Sequence, residues 1–220
     1  MPVLRLPSLP ATAGKQHWGN LPGAALSLAI AEAANSAKRF TLLLTADSQS
    51  AERLEQELSF FAPELPVLHF PDWETLPYDL FSPHQDIISQ RISALYRLPS
   101  LSHGVLVVPI TTALHRLPPK RFLLGSSLVL DVGQRINVDD MRARLEAAGY
   151  RYVDTVYEHG EFTVRGALID LFPMGSKQPF RIDLFDDEIE TLRTFDPETQ
   201  RSIDKVESIK LLPAREFPLE

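Results

Sequence analysis

The spacing of apolar residues changes near residue 150: before it they recur at helical intervals or gather in short unbroken runs, and after it they alternate with polar ones. An alanine-rich helix is predicted over 23–37, with Asn20 and Pro22 marking its start. FTLLLTA at 40–46 reads as a buried strand. Asp47 or Ser48 then caps a helix on which Leu54, Leu58 and Phe61 share a face, and LPVLHF at 65–70 resumes a strand. DIISQRISALYRL is a helix with Ile88, Ile92, Leu95 and Tyr96 inward, followed by a buried strand GVLVVP at 104–109 and a short turn stopped by proline. Between them, PDWETLPYDLFSPH at 71–84 combines turn formers with Trp73, Tyr78 and Phe81, which predicts a loop folded against the body rather than rings left in water.

RFLLGSSLVL at 121–130 leads into a second unit. There a helix from Asp139 or Asp140 to Ala148, closed by Gly149, turns Met141, Leu145 and Ala148 to a core. The rest is strand-like: two extended runs around a turn at Gly160, then FRIDLF at 180–185, EIETLRTF at 188–195 and VESIKLLP at 206–213, with a turn at DPET, 196–199. The expected fold class is α/β: a degenerate P-loop-type parallel-sheet domain, then a small α+β domain with one helix against a curved antiparallel sheet. The expected division is a scaffold at 1–120, a connector at 121–126, a binding domain at 127–212 and, at 213–220, the start of a segment returning to the first domain.

Composition narrows the chemistry. The 220 residues are 44% hydrophobic, enough for a substantial core, and contain no cysteine, which excludes disulfides and thiolate metal sites. No run approaches the roughly 18 apolar residues of a membrane span, so a soluble cytoplasmic protein is expected. The net charge is −7, with 19 acidic against 13 basic residues in 121–220, a balance that disfavours a broad DNA-binding face and favours a protein partner.

GNLPGAALS at 19–27 looks like the entry to a nucleotide fold, yet it lacks the GK[ST] run whose lysine and hydroxyl hold phosphates and magnesium. Competent nucleotide binding is therefore not expected. The six histidines show no compact ligand motif, the acids at 183, 186, 187, 188 and 190 lack calcium-loop spacing, and no nucleophile elbow emerges. No catalytic, cofactor-binding or metal-binding residue is assigned.

The more informative cluster is FRIDLF. Strand alternation puts Ile182 and Leu184 on one face and Arg181, Asp183 and Phe185 on the other, with Arg165 joining them if its strand pairs in suitable register. Two readings stay open. Phe185 is an interface anchor flanked by charged contacts, or it packs beneath the acidic turn while the arginines balance Asp170, Asp183 or Glu188 in ion pairs.

FPDWETLPYD at 70–79, GEFTVRGALIDLFP at 160–173 and FRIDLFDDEIETLRTFDPETQRS at 180–202, in this order, resemble the N-terminal UvrB-homology region of the bacterial transcription-repair coupling factors (Mfd) across essentially the whole chain. They also resemble UvrB itself, whose corresponding region has a working nucleotide site. The resemblance implies an adaptor that recruits the excision-repair ATPase UvrA to RNA polymerase stalled at damaged DNA. Arg165, Arg181, Asp183 and Phe185 would be the UvrA-facing residues. It implies no cofactor in this stretch. ATP, magnesium, RNA polymerase and double-stranded DNA would belong to remote motor and polymerase-binding regions absent here. The alternative is a UvrB-like nucleotide- or nucleic-acid-binding module.

Overall fold

A computed structural model describes residues 7–10, 12–75, 79–80 and 82–218. Its helices are α1 (Ala25–Ala37), α2 (Ser48–Phe61), α3 (Gln85–Arg97), α4 (Ile110–Ala113), α5 (Lys120–Gly125) and α6 (Val138–Ala147). Its strands are β1 (Phe40–Thr45), β2 (Val67–His69), β3 (Gly104–Pro109), β4 (Leu128–Asp131), β5 (Arg151–Tyr152), β6 (Glu161–Arg165), β7 (Leu168–Leu171), β8 (Phe180–Phe185), β9 (Glu188–Phe195), β10 (Ser202–Val206) and β11 (Ser208–Leu211). The chain divides into two compact units, one of residues 1–72 and 97–116, the other of 73–96 and 117–220. Among the described residues no helix is long and apolar enough to cross a membrane.

The first unit carries a parallel sheet in the order β1-β3-β2, with β3 buried along its whole length as its unbroken apolar sequence predicts. Ile30, Ala31 and Ala34 of α1 and Ala51, Leu54 and Leu58 of α2 pack with Val105 and Val107. Asp47 caps α2 by accepting a hydrogen bond from the Ser50 amide at 2.7 Å. Gly104 has φ +126°, and a Cβ there would lie 2.4 Å from the Pro66 carbonyl oxygen, which accepts the Val105 amide; glycine lets β2 and β3 meet.

The sequence expectation for β1 needs correction. Leu43 packs into the core, but Leu42 and Leu44 are about half exposed and Phe40 is also exposed, because β1 lies at the sheet edge with one face uncovered within this unit. A continuous apolar run does not distinguish a strand covered on two faces from one covered on one.

The second unit is built on a six-stranded sheet, β10-β9-β8-β7-β6-β5. Phe162, Ile169, Leu171, Ile182, Ile189 and Leu192 form its core-facing side with Met141 and Leu145 of α6. Ile92 lies fully buried in the same core, with Ile88, Leu95 and Tyr96 packed against that core, and Leu123 of α5 is buried there too, so α3 and α5 join α6 where one helix was expected. Asn137 caps α6 by accepting from the Asp140 amide at 3.0 Å, and Gly149 ends it with φ +96°. Asn137→Ala is expected to lower stability by about 1 kcal/mol, measured by urea denaturation, while the native circular-dichroism spectrum is kept.

Two strand expectations change. The turn at Gly160 is present, but the run before it is not a long strand: β5 is two residues long and pairs parallel with β6. The intervening segment instead lies over the sheet's outer face, where Val153 and Val156 pack with Phe172 and Phe195. Buried Glu161 fixes it by accepting the Tyr157 and Glu158 amides at 2.8 and 2.9 Å. The run at 206–213 changes, too: an unanticipated strand before it, β10, continues the large sheet, while the run itself supplies β11, which pairs with β4 instead.

Trp73 is folded in as its loop composition predicts. Its indole Nε1 donates to Glu216 at 3.1 Å, and its ring lies beneath the Arg91 guanidinium and edge-on to Phe217. Tyr78 and Phe81, expected to pack with it, lie outside the described residues.

Candidate protein-docking face

Register places four predicted residues on the outer face of the six-stranded sheet. Thr163, Asp170, Arg181 and Arg193 form one cross-strand row; Arg165, Leu168, Asp183 and Thr191 form the next. Phe185 follows two residues after Asp183 on β8 and pairs with Glu188. Arg165 thus joins Arg181, Asp183 and Phe185, the condition left open by sequence alone.

Asp186 and Asp187 form the two-residue turn between β8 and β9, Asp186 in the left-handed region with φ +54°. That turn leaves Phe185 at the end of the hairpin, and the residue is 70% exposed. The ring therefore does not pack beneath the acidic turn. The ion-pair half of that same reading is present: Asp170 accepts from Arg181 Nε and Nη2 at 2.8 and 2.9 Å and also from Arg165. Arg181 further donates to the Gln200 carbonyl at 3.2 Å and stacks over Phe195.

These contacts give the two arginines different characters. The Arg181 side chain is only 15% exposed and its donors face the protein, whereas Arg165 is 52% exposed with one amino group committed to Asp170. Hydrogen bonding to Asp170 is the main influence that pushes the Arg181 guanidinium pKa up, against the opposing effect of burial. Arg181 is thus a brace, and Arg165 the accessible cation.

Asp183 accepts on one oxygen from Thr191 at 2.8 Å and from Arg193. Burial opposes its ionisation, but the hydrogen bonds from Arg193 and Thr191 and the positive charges of Arg193 and Arg181 outweigh it, holding the carboxyl below the usual carboxylate range. Because the folded value lies below the unfolded value of about 3.9, its stabilisation is present above about pH 4 and lost as pH falls through the folded value. Asp183→Asn is expected to reduce the stability difference between pH 6 and pH 3; an unchanged difference contradicts the assignment.

Asp170 and Arg193 complete the arrangement. Both lie on the same sheet face, where strand alternation and the nearby opposite charges are the signal in the sequence that points to them. No group of three or more metal-ligating side chains occurs among the described residues. At the start of α1, Ser27 is buried and its hydroxyl bonds Glu57, so this side chain is occupied in helix packing.

An exposed ring, an accessible guanidinium and a braced carboxylate on one sheet face suit docking to another protein. Residues 128–217 match the UvrB interaction domain family. The chain is 52% identical over 214 residues to the transcription-repair-coupling factor of Escherichia coli (strain K12), covering 97% of this chain and 19% of that relative. Identity to the Haemophilus influenzae protein of that name is 52% over 202 residues, covering 92% and 18%. For the Bacillus subtilis protein it is 31% over 203 residues, covering 92% and 17%. This chain is a homologue of the transcription-repair-coupling factors and spans about a fifth of their length.

Proposed function

We propose that this chain is an adaptor that recruits UvrA for transcription-coupled nucleotide excision repair. The observation that carries the proposal is the UvrB interaction domain match over the same residues that display Arg165, Asp183 and Phe185 on one sheet face. Residues 127–212 are the UvrA-binding domain in this reading. Residues 1–120 are in this reading a degenerate nucleotide-fold scaffold and 121–126 a connector, except that 73–96 pack within the second unit. Phe185 supplies the apolar anchor, Arg165 a cationic contact and Asp183 an acidic contact, while Arg181 braces Asp170 on the same face.

The missing GK[ST] run and the engagement of Ser27 with Glu57 support a scaffold without nucleotide turnover. In the longer protein, ATP, magnesium, double-stranded DNA and RNA polymerase are assigned to other regions, and the setting is the cytoplasm. The test is titration of purified UvrA with this chain, without DNA or nucleotide. Saturable binding is expected; no complex at UvrA concentrations up to about 100 μM, weaker than specific recognition requires, overturns the reading.

A further inference from the structure

Asp170 is 1% exposed, a carboxylate buried on the outer side of the sheet and held by three donor groups from two arginines. Arg181 stands directly across the β7–β8 ladder, while Arg165 reaches it from a position paired with Leu168. One negative charge therefore holds two guanidinium groups that would otherwise repel. It also restrains a flexible side chain that a partner would have to immobilise on binding.

We propose that Asp170 is the positioning residue of the docking face: it touches no partner itself but holds Arg165 ready to meet a carboxylate on UvrA. This rests on the adaptor reading. Arg165 has one donor group on Asp170 and leaves the remainder of its half-exposed fork for an acidic partner group. Arg181, largely covered, fixes the carboxylate from the opposite side. The ordering cost at Arg165 is met during folding rather than during association.

A double-mutant cycle read in the UvrA dissociation constant tests the assignment. Asp170→Asn is expected to weaken binding about tenfold in the otherwise unchanged chain, and less than about threefold when Arg165 is already alanine, because the substitution then has no contact to misplace. Equal weakening in both backgrounds overturns the proposal, as does no weakening in the first. Arg165→Ala alone is expected to weaken binding; an unchanged constant overturns the adaptor assignment of this residue and the positioning role with it. Should Asp170→Asn fail to fold, side-chain nitrogen NMR of the unaltered chain decides. Restricted rotation of the Arg165 guanidinium is expected, and rotation as free as that of a fully exposed arginine overturns the proposal.

Discussion

Replacing Arg91 by methionine while Glu216 is retained is expected to lower stability by about 3–5 kcal/mol, as removal of one partner leaves a buried charge uncompensated. Arg91 is fully buried, and its Nε and Nη2 grip the Glu216 carboxylate at 2.8 and 2.9 Å across 125 residues of sequence. Trp73 depends on the same carboxylate. For a chain of this size the loss corresponds to a melting shift of roughly 6–20 °C, read by calorimetry, with tryptophan fluorescence reporting on Trp73. Arg91→Met combined with Glu216→Leu is expected to recover most of the stability, because a well-packed apolar pair removes the desolvation cost along with the attraction. A single variant melting within about 1 °C of the unaltered chain contradicts this account.

Such a contact marks where sequence reading stops. The helical spacing of Ile88, Ile92, Leu95 and Tyr96 correctly predicts an inward face for α3, but periodicity carries no information about which core receives it. Glu216, far along the chain and beside a proline-rich end, has no local pattern that signals burial against Arg91. The exposed face of β1 and the parallel pairing of β5 were missed for a related reason: alternation and run length describe one strand, whereas neighbours and coverage depend on residues elsewhere.

The proposed docking face was legible in proportion to how local its geometry is. Strand period alone assigned Arg181, Asp183 and Phe185 to one side of β8. Arg165 required the β6–β7–β8 register, and recognising Asp170 as the carboxylate shared by two arginines required that register plus the side-chain directions. The structure also separates roles that charge alone equates: Arg181 is a brace, so its truncation would disturb the buried Asp170 and confuse folding with binding.

Phe185 offers the cleaner test, since a residue 70% exposed contributes little to the folded chain alone. Covering it in a partner pocket removes apolar surface from water, and a central aromatic anchor of this kind is worth about 2 kcal/mol or more. Phe185→Ala should therefore weaken UvrA binding by roughly 30-fold or more while shifting the melting temperature little. Phe60, 79% exposed in the first unit, provides the matched control, because its removal takes away a similar ring outside the proposed face.

The decisive measurement is the UvrA dissociation constant of the unaltered chain, Phe185→Ala and Phe60→Ala, each shown to be folded. The account predicts a loss of roughly 30-fold or more for Phe185→Ala and none for Phe60→Ala. An unchanged constant for Phe185→Ala contradicts it, and a loss confined to Phe60→Ala would place the binding face in the other unit.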